Sequence, residues 1–365
     1  MTQLLTEEVR ATLGTSVTYV APEQLSRASI RYFALAIGAD PERWRDEAPP
    51  TLICETAQLT GRSAPDGNSY LGHTWELPLP RPCAMFRGGN DYKFFRPARF
   101  DDVIRTSWTL VDATERRDRA GDPLLFVTAE AAYTASDDLL ATNAETMIFR
   151  PLGSAQPEGA ASDAEATASG SEPEASAPHT EQLTSAGDPE ASAPHTEQLT
   201  SAGDPEASAP HTEQLTSAGE PEASASHARR LAPGEWPHVG TEIPPLNRRI
   251  ALPDMVAYGA ATWDWHRLHY DPAHALRLGA PAPLVDGQML GALLVECVLR
   301  CAGPAARLTR LAYRNRAPVR AGEAVSCSGT IATVDDAGFS VDMAVTVGDR
   351  LVVAPAYAQL AWSSS

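Results

Sequence analysis

The chain has 365 residues, 43% of them hydrophobic, enough for roughly two domains with buried cores, and a formal net charge of −18. So acidic a protein is not expected to bind nucleic acid, where Lys and Arg must neutralise phosphates, and no apolar run approaches the length of a membrane span. The N-terminus shows no basic stretch followed by a long apolar one, so a cytoplasmic protein without membrane attachment is expected.

In chain order, a helix is expected over 24–37, where an apolar stripe follows Ser26 and Ser29 as candidate caps. Strands are expected over 104–112, 124–134 and 141–149 from their β-branched and aromatic content, with a turn at Arg119-Ala-Gly-Asp-Pro123. From about Ser154 to His227 the composition changes to Ala, Ser, Glu, Pro, Gly and Thr. A 16-residue unit repeats there: Asp188-Pro-Glu-Ala-Ser-Ala-Pro-His195 recurs at 204–211 and decays at 220–227. Each unit offers a single leucine (Leu183, Leu199, Leu215), too little apolar surface for a solenoid, so disorder is expected. The histidines His179, His195, His211 and His227 are copies within the repeat and lack neighbouring ligands. Fourteen acidic residues lie in this segment, leaving the remainder only mildly acidic.

Beyond the repeat the first pattern returns. A helix is expected over 287–301, stopped by Gly303-Pro304, and strands over 324–334, 339–347 and 351–362, separated by turns at Asp335-Asp-Ala-Gly338 and Gly348-Asp349. The stretch Tyr92-Lys-Phe-Phe-Arg96-Pro97 with Asp101-Asp102 parallels Tyr313-Arg-Asn-Arg316-Ala-Pro318 with Gly322-Glu323. Helix first, then long antiparallel strands, twice over, predicts an α+β fold in which each sheet wraps a central helix. The divisions are 1–150, a linker over 151–235, and 236–365. Of the five cysteines, Cys54, Cys83, Cys297, Cys301 and Cys327, none forms a CxxC pair, and reduced core residues are expected.

One stretch carries chemistry: Trp263-Asp264-Trp265-His266-Arg267-Leu268-His269-Tyr270-Asp271, followed by the helix that opens Val285-Asp286-Gly287. It supplies a carboxylate, an imidazole and a helix N-terminus close together, the parts for moving protons next to a developing negative charge. An Asp/His spacing alone says little, and Asp264 could equally cap a helix.

The order of elements, the Asp-x4-His stretch, the Val-x-Gly turn and the Arg316-x-Pro318-Val319-x-x-Gly322-Glu323 strand entry together resemble the MaoC-type dehydratases, the (R)-specific enoyl-CoA hydratase 2 group of the hotdog fold. The first half resembles that family's N-terminal FAS1-like domain. The family motif is close to Gly-Asp-x-Asn-Pro-x-His. Here Asp264 and His269 match the catalytic positions, while Trp263, His266 and Arg267 replace Gly, Asn and Pro. The resemblance implies a double hotdog and a hydro-lyase that hydrates an enoyl-CoA to a 3-hydroxyacyl-CoA, without metal or redox cofactor. Residues 266–271 are similar to a subset acting on branched or dicarboxylic substrates of the mesaconyl and itaconyl type. It implies Asp264 and His269 as the water-activating pair and Gly287 as the thioester-binding amide. Arg267, His266, Arg314 and Arg316 are candidates for substrate or CoA contacts; the arginines read equally as solvated or salt-bridged side chains, and His266, like His274, reads first as solvent-facing or locally hydrogen-bonded. The partner implied is an acyl-CoA thioester or an acyl carrier protein, and a homodimer is compatible with it. Two alternatives stand beside the first reading: a 3-hydroxyacyl-carrier-protein dehydratase, and a catalytically silent acyl-CoA-binding protein. The second is motivated by Asp286, which stands where the family has His; a carboxylate there opposes an oxyanion unless it points outward or caps the helix, and capping is expected. In the first half Asp40 matches the Asp, but Arg45 stands where the His would be, so that half is expected to be non-catalytic.

Overall fold

The computed structural model describes residues 3–21, 23–54, 75–118, 121–152, 165–166, 237–277 and 279–363. The repeat and its histidines, and part of the turn at 119–123, lie outside the described residues. Segments Met1–Ser169 and His227–Ser365 form one compact unit.

The first half contributes α1 (Glu7–Ala11), β1 (Ser16–Val20), α2 (Arg27–Ala36), β2 (Cys83–Phe94), β3 (Ile104–Arg117), β4 (Pro123–Ala135), β5 (Asp138–Pro151) and the short β6 (Glu165–Ala166). The second contributes β7 (Leu246–Arg249), α3 (Leu252–Thr262), α4 (Pro272–Arg277), α5 (Gly287–Ala302), β8 (Ala306–Asn315), β9 (Ala324–Val334), β10 (Gly338–Val347) and β11 (Arg350–Trp362). Among the described residues the strands form one antiparallel sheet in the order β1-β3-β4-β5-β2-β8-β11-β10-β9-β7, with β6 pairing β2. The two half-sheets are therefore joined edge to edge by β2 and β8, which closes an edge that each half would otherwise expose. At the seam a Cβ on Gly89 would lie 2.1 Å from the Tyr313 carbonyl oxygen, so only glycine lets the strands meet. Asp91 and Arg310 pair across it at 2.6 Å.

Helix α5 is buried from Gly287 through Leu299 and packs against β8, β9, β10 and β11. A helix apolar on nearly all faces has to sit inside its sheet, and Leu293, Leu294 and Val298 are fully buried, each worth about 1.5–3 kcal/mol. Helix α2 starts at a capping box in which Ser26 and Ser29 exchange hydrogen bonds, so both candidate caps are used. It packs chiefly against α3 and matches α3, not α5, in position; the stretch 55–74 that follows lies outside the described residues. None of the five cysteines is in a disulfide, and burial pushes the Cys297 and Cys301 thiols up to about 11. No helix among the described residues is long and apolar enough to cross a membrane.

Candidate active site

Helix α3 ends at Trp263, whose backbone is left-handed (φ 60°, ψ 25°), a conformation that costs a bulky residue of order 1–3 kcal/mol and turns the chain sharply into Asp264. The turn is tight: a Cβ on Gly259 would lie 2.6 Å from the Asp264 carbonyl oxygen, so the helix needs glycine at that point. Trp263 and Trp265 meet edge to face, as do Trp265 and Tyr270, and these contacts brace the turn.

Asp264 is buried, and its Oδ1 accepts the His266 amide at 2.9 Å, a local turn that fixes the carboxylate. It therefore closes a turn and does not cap a helix. One 3₁₀ turn (Arg267–His269) then returns His269 so that its Nε2 lies 3.7 Å from Asp264 Oδ2. His269 Nδ1 sits 2.7 Å from the Leu284 carbonyl oxygen. A carbonyl only accepts, so Nδ1 carries a proton, and Nε2 is the ring nitrogen that faces Asp264, with a lone pair there whenever the ring is neutral. The 3.7 Å gap is too long for a direct hydrogen bond. A cavity of about 10 Å³ lies beside it, lined by Met255, Tyr258, Gly259, Asp264, His269, Asp286 and Met289, at the lower limit of the space one water needs.

Asp286 is the N-cap of α5: its Oδ1 accepts the Gln288 amide at 2.9 Å. The expected capping is present, yet the side chain is buried and lines the same cavity, so capping and facing the site coexist. Gly287 follows as the first residue of α5, buried beside it.

The low dielectric shows in the ionisation of the site. Burial pushes the Asp264 carboxyl up to about 6, an effect that His269 opposes and the nearby Asp286 charge reinforces. Burial likewise pushes His266 down to about 3, helped by His269 and His274, so it is neutral. Asp264, His269 and Asp286 bring donor atoms within 4.8 Å of one another, the one cluster of that kind among the described residues.

The other expected contacts are not brought to this point. His266 is buried and locally hydrogen-bonded, the second of its two expected structural states: its Nδ1 accepts the Leu268 amide at 3.3 Å. Arg267 is exposed and paired with Asp271. Arg314 is exposed on β8 opposite Gly89, and Arg316, also exposed, donates to the Ala354 carbonyl. None of these three arginines lines the cavity. His274 sits at the start of α4, its ring 6.0 Å from that of His266. Met255, Tyr258 and Gly259 of α3 line the cavity and were not anticipated, nor was the buried ion pair of Arg87 and Glu145 in the first half, 3.0 Å long, whose arginine charge acts on Asp264. A glycine one turn before the end of α3 was the only local signal for Tyr258. A larger cavity of about 330 Å³, lined by Arg43, Trp44, Leu299 and Gly303 among others, lies at the opposite end of α5, roughly 24 Å from Asp286 along the helix.

No protein-family model matches the sequence, and no curated protein matches it. Solved structures do. A MaoC-like dehydratase matches with a TM-score of 0.62 and 17% identity, over 97% of this chain and 100% of that one. A MaoC-like dehydratase from Phytophthora capsici matches at 0.55 and 12%, over 98% and 99%. A Mycobacterium tuberculosis protein described as having a double hotdog fold matches at 0.51 and 12%, over 96% of each chain. At these identities the likeness is one of fold, and the chain is a double hotdog of the architecture found in MaoC-like dehydratases.

Proposed function

We propose that the chain is a hydro-lyase that reversibly adds water across the double bond of an enoyl thioester, giving a 3-hydroxyacyl thioester. The observation that carries this reading is the water-sized cavity flanked by Asp264 and His269 at the N-terminus of α5. A water there has two acceptors beside it, the Asp264 carboxylate and the His269 Nε2 lone pair. Its oxygen bonds to the β-carbon as one of its protons passes to the pair. The electrons of the double bond move onto the thioester oxygen, and the pair then returns a proton to the α-carbon, so that H and OH have been added in full. The enolate-like oxygen needs a fixed positive field, and the first turn of α5 at Gly287 supplies it through backbone amides and the helix dipole. Burial keeps Asp264 close to the working pH, which lets it give and take a proton.

The substrate belongs to the enoyl-CoA class in this reading, and the branched or dicarboxylic type is the finer proposal. Incubation with crotonyl-CoA and with mesaconyl-CoA is expected to bleach the conjugated-thioester absorbance. Absence of loss with any enoyl-CoA or carrier-protein thioester refutes it. One observation favours a second reading, a catalytically silent thioester-binding protein: Asp286 faces the cavity, where its charge opposes the enolate. That reading predicts saturable binding of acyl-CoA without turnover.

A further inference from the structure

The half with no Asp/His pair nevertheless places a charge at the site. Alternation along β2 would put Arg87 and Asn90, three residues apart, on opposite faces of the sheet. The register against β5 slips between Arg87 and Gly89, so Gly88 is an extra residue, and beyond this bulge Arg87 and Asn90 are both buried. Glu145 and Asn143, two apart on β5, share the same buried side and take up these partners. Arg87 Nη1 donates to Glu145 at 3.0 Å, and Asn143 Nδ2 donates to the Asn90 side chain at 3.1 Å. Asn90 in turn donates to the Tyr313 hydroxyl, and Tyr313 lies against Gly291, one turn into α5. One polar line thus runs from the first half to the first turns of α5, and the Arg87–Glu145 pair lies beside it, with Glu145 opposite Asn90 across the strands.

We infer that Arg87 is a positioning residue for the site on the other half: its guanidinium, held by Glu145, balances the buried carboxylate Asp264. The charges around Asp264 make this necessary. Asp286 faces it from the cap of α5, His269 and His266 from the 3₁₀ turn, Arg87 from β2, and Glu145 stands behind Arg87 on β5 within the field of Asp286. His274 acts on His266 from α4. Three buried carboxylates in a low dielectric repel strongly, and Arg87 is the permanent cation among these groups. A first half that carries no Asp/His pair is thereby bound to the chemistry of the second: separate the strands β2 and β8, and Asp264 loses its counter-charge.

The inference rests on Asp264 and His269 as the reacting pair, and its test is built to fail separately from that reading. In the full chain, Arg87→Gln, Arg87→Lys and Glu145→Gln are compared by the pH profile of kcat/KM with crotonyl-CoA. Independently of turnover, they are compared by carboxyl ¹³C titration of aspartate-labelled protein, with Asp264→Asn identifying the Asp264 signal. Arg87→Gln is expected to move the Asp264 titration and the acid limb up by on the order of one pH unit. Glu145→Gln leaves the guanidinium uncompensated and is expected to move both down, while Arg87→Lys restores the parent profile to within a few tenths. Shifts of the same sign in the first two variants, or lowered activity with an unmoved titration, overturn the inference. Glutamine at 145 still accepts from Arg87, so that variant remains informative if Arg87→Gln does not fold. Should no thioester turn over, the hydro-lyase reading falls, and the titration still decides the role of Arg87.

Discussion

Asp264→Asn is expected to make the protein more stable while removing its activity. The carboxyl titrates near 6 in the folded chain against an ordinary 3.8, so between those values the native state holds the proton that the unfolded chain gives up. Stability then falls as pH rises through that window: nothing is lost below about pH 3.8, and the full cost is present above about pH 6. Holding a carboxylate ionised one pH unit above its ordinary midpoint costs about 1.4 kcal/mol, so a rise from 3.8 to about 6 costs about 3 kcal/mol at neutral pH. Asparagine carries no charge to desolvate, and its side-chain oxygen can still accept the His266 amide. Urea unfolding at pH 4, 5, 6 and 8 measures the effect. The variant and parent are expected to have similar midpoints at pH 4, and the variant to gain up to about 3 kcal/mol by pH 8, equal to roughly 6–12 °C in Tm for a folded body of this size. A variant no more stable than the parent at pH 8, or a difference independent of pH, refutes the claim that Asp264 is a desolvated carboxylate.

The other predictions are briefer. His269→Ala is expected to lower kcat by about 10²–10⁴-fold, as loss of a proton-transfer group does, with folding retained by circular dichroism; turnover at the parent rate would move the reacting group elsewhere. Asp286→Asn keeps the cap bond to Gln288 and removes a charge that raises Asp264, so the acid limb of the rate profile is expected to shift down. Asp286→Ala additionally loses the cap, about 1 kcal/mol by urea unfolding. Gly89→Ala puts a Cβ against the Tyr313 carbonyl and is expected to lower stability by more than about 3 kcal/mol, read from the urea midpoint.

Much of the architecture was legible because its signals are local. Strand 324–334 has the bounds read from its β-branched content and flanking turns, and α5 runs one residue past the expected helix, ending where Gly303-Pro304 said it would. The two strands that join the halves were given no bounds. β2 contains Gly88-Gly89 and a bulge that breaks its alternation, and β8 mixes basic residues into its pattern, because each satisfies a partner strand more than 200 residues away. The left-handed Trp263 was equally opaque, because a bulky residue gives no local sign of a backbone conformation that favours glycine.

The sequence by itself determined the elements and the local pairing of Asp264 with His269, since five residues and one 3₁₀ turn suffice to bring those side chains to 3.7 Å. It also settled that Asp286 caps α5, because a cap acts on the residues that follow it. Only the tertiary structure decided that Asp286 also faces the cavity and that Arg87 and Glu145 stand behind it. Which charges share a buried space depends on sheet register, and a single extra residue at Gly88 was enough to turn Arg87 inward.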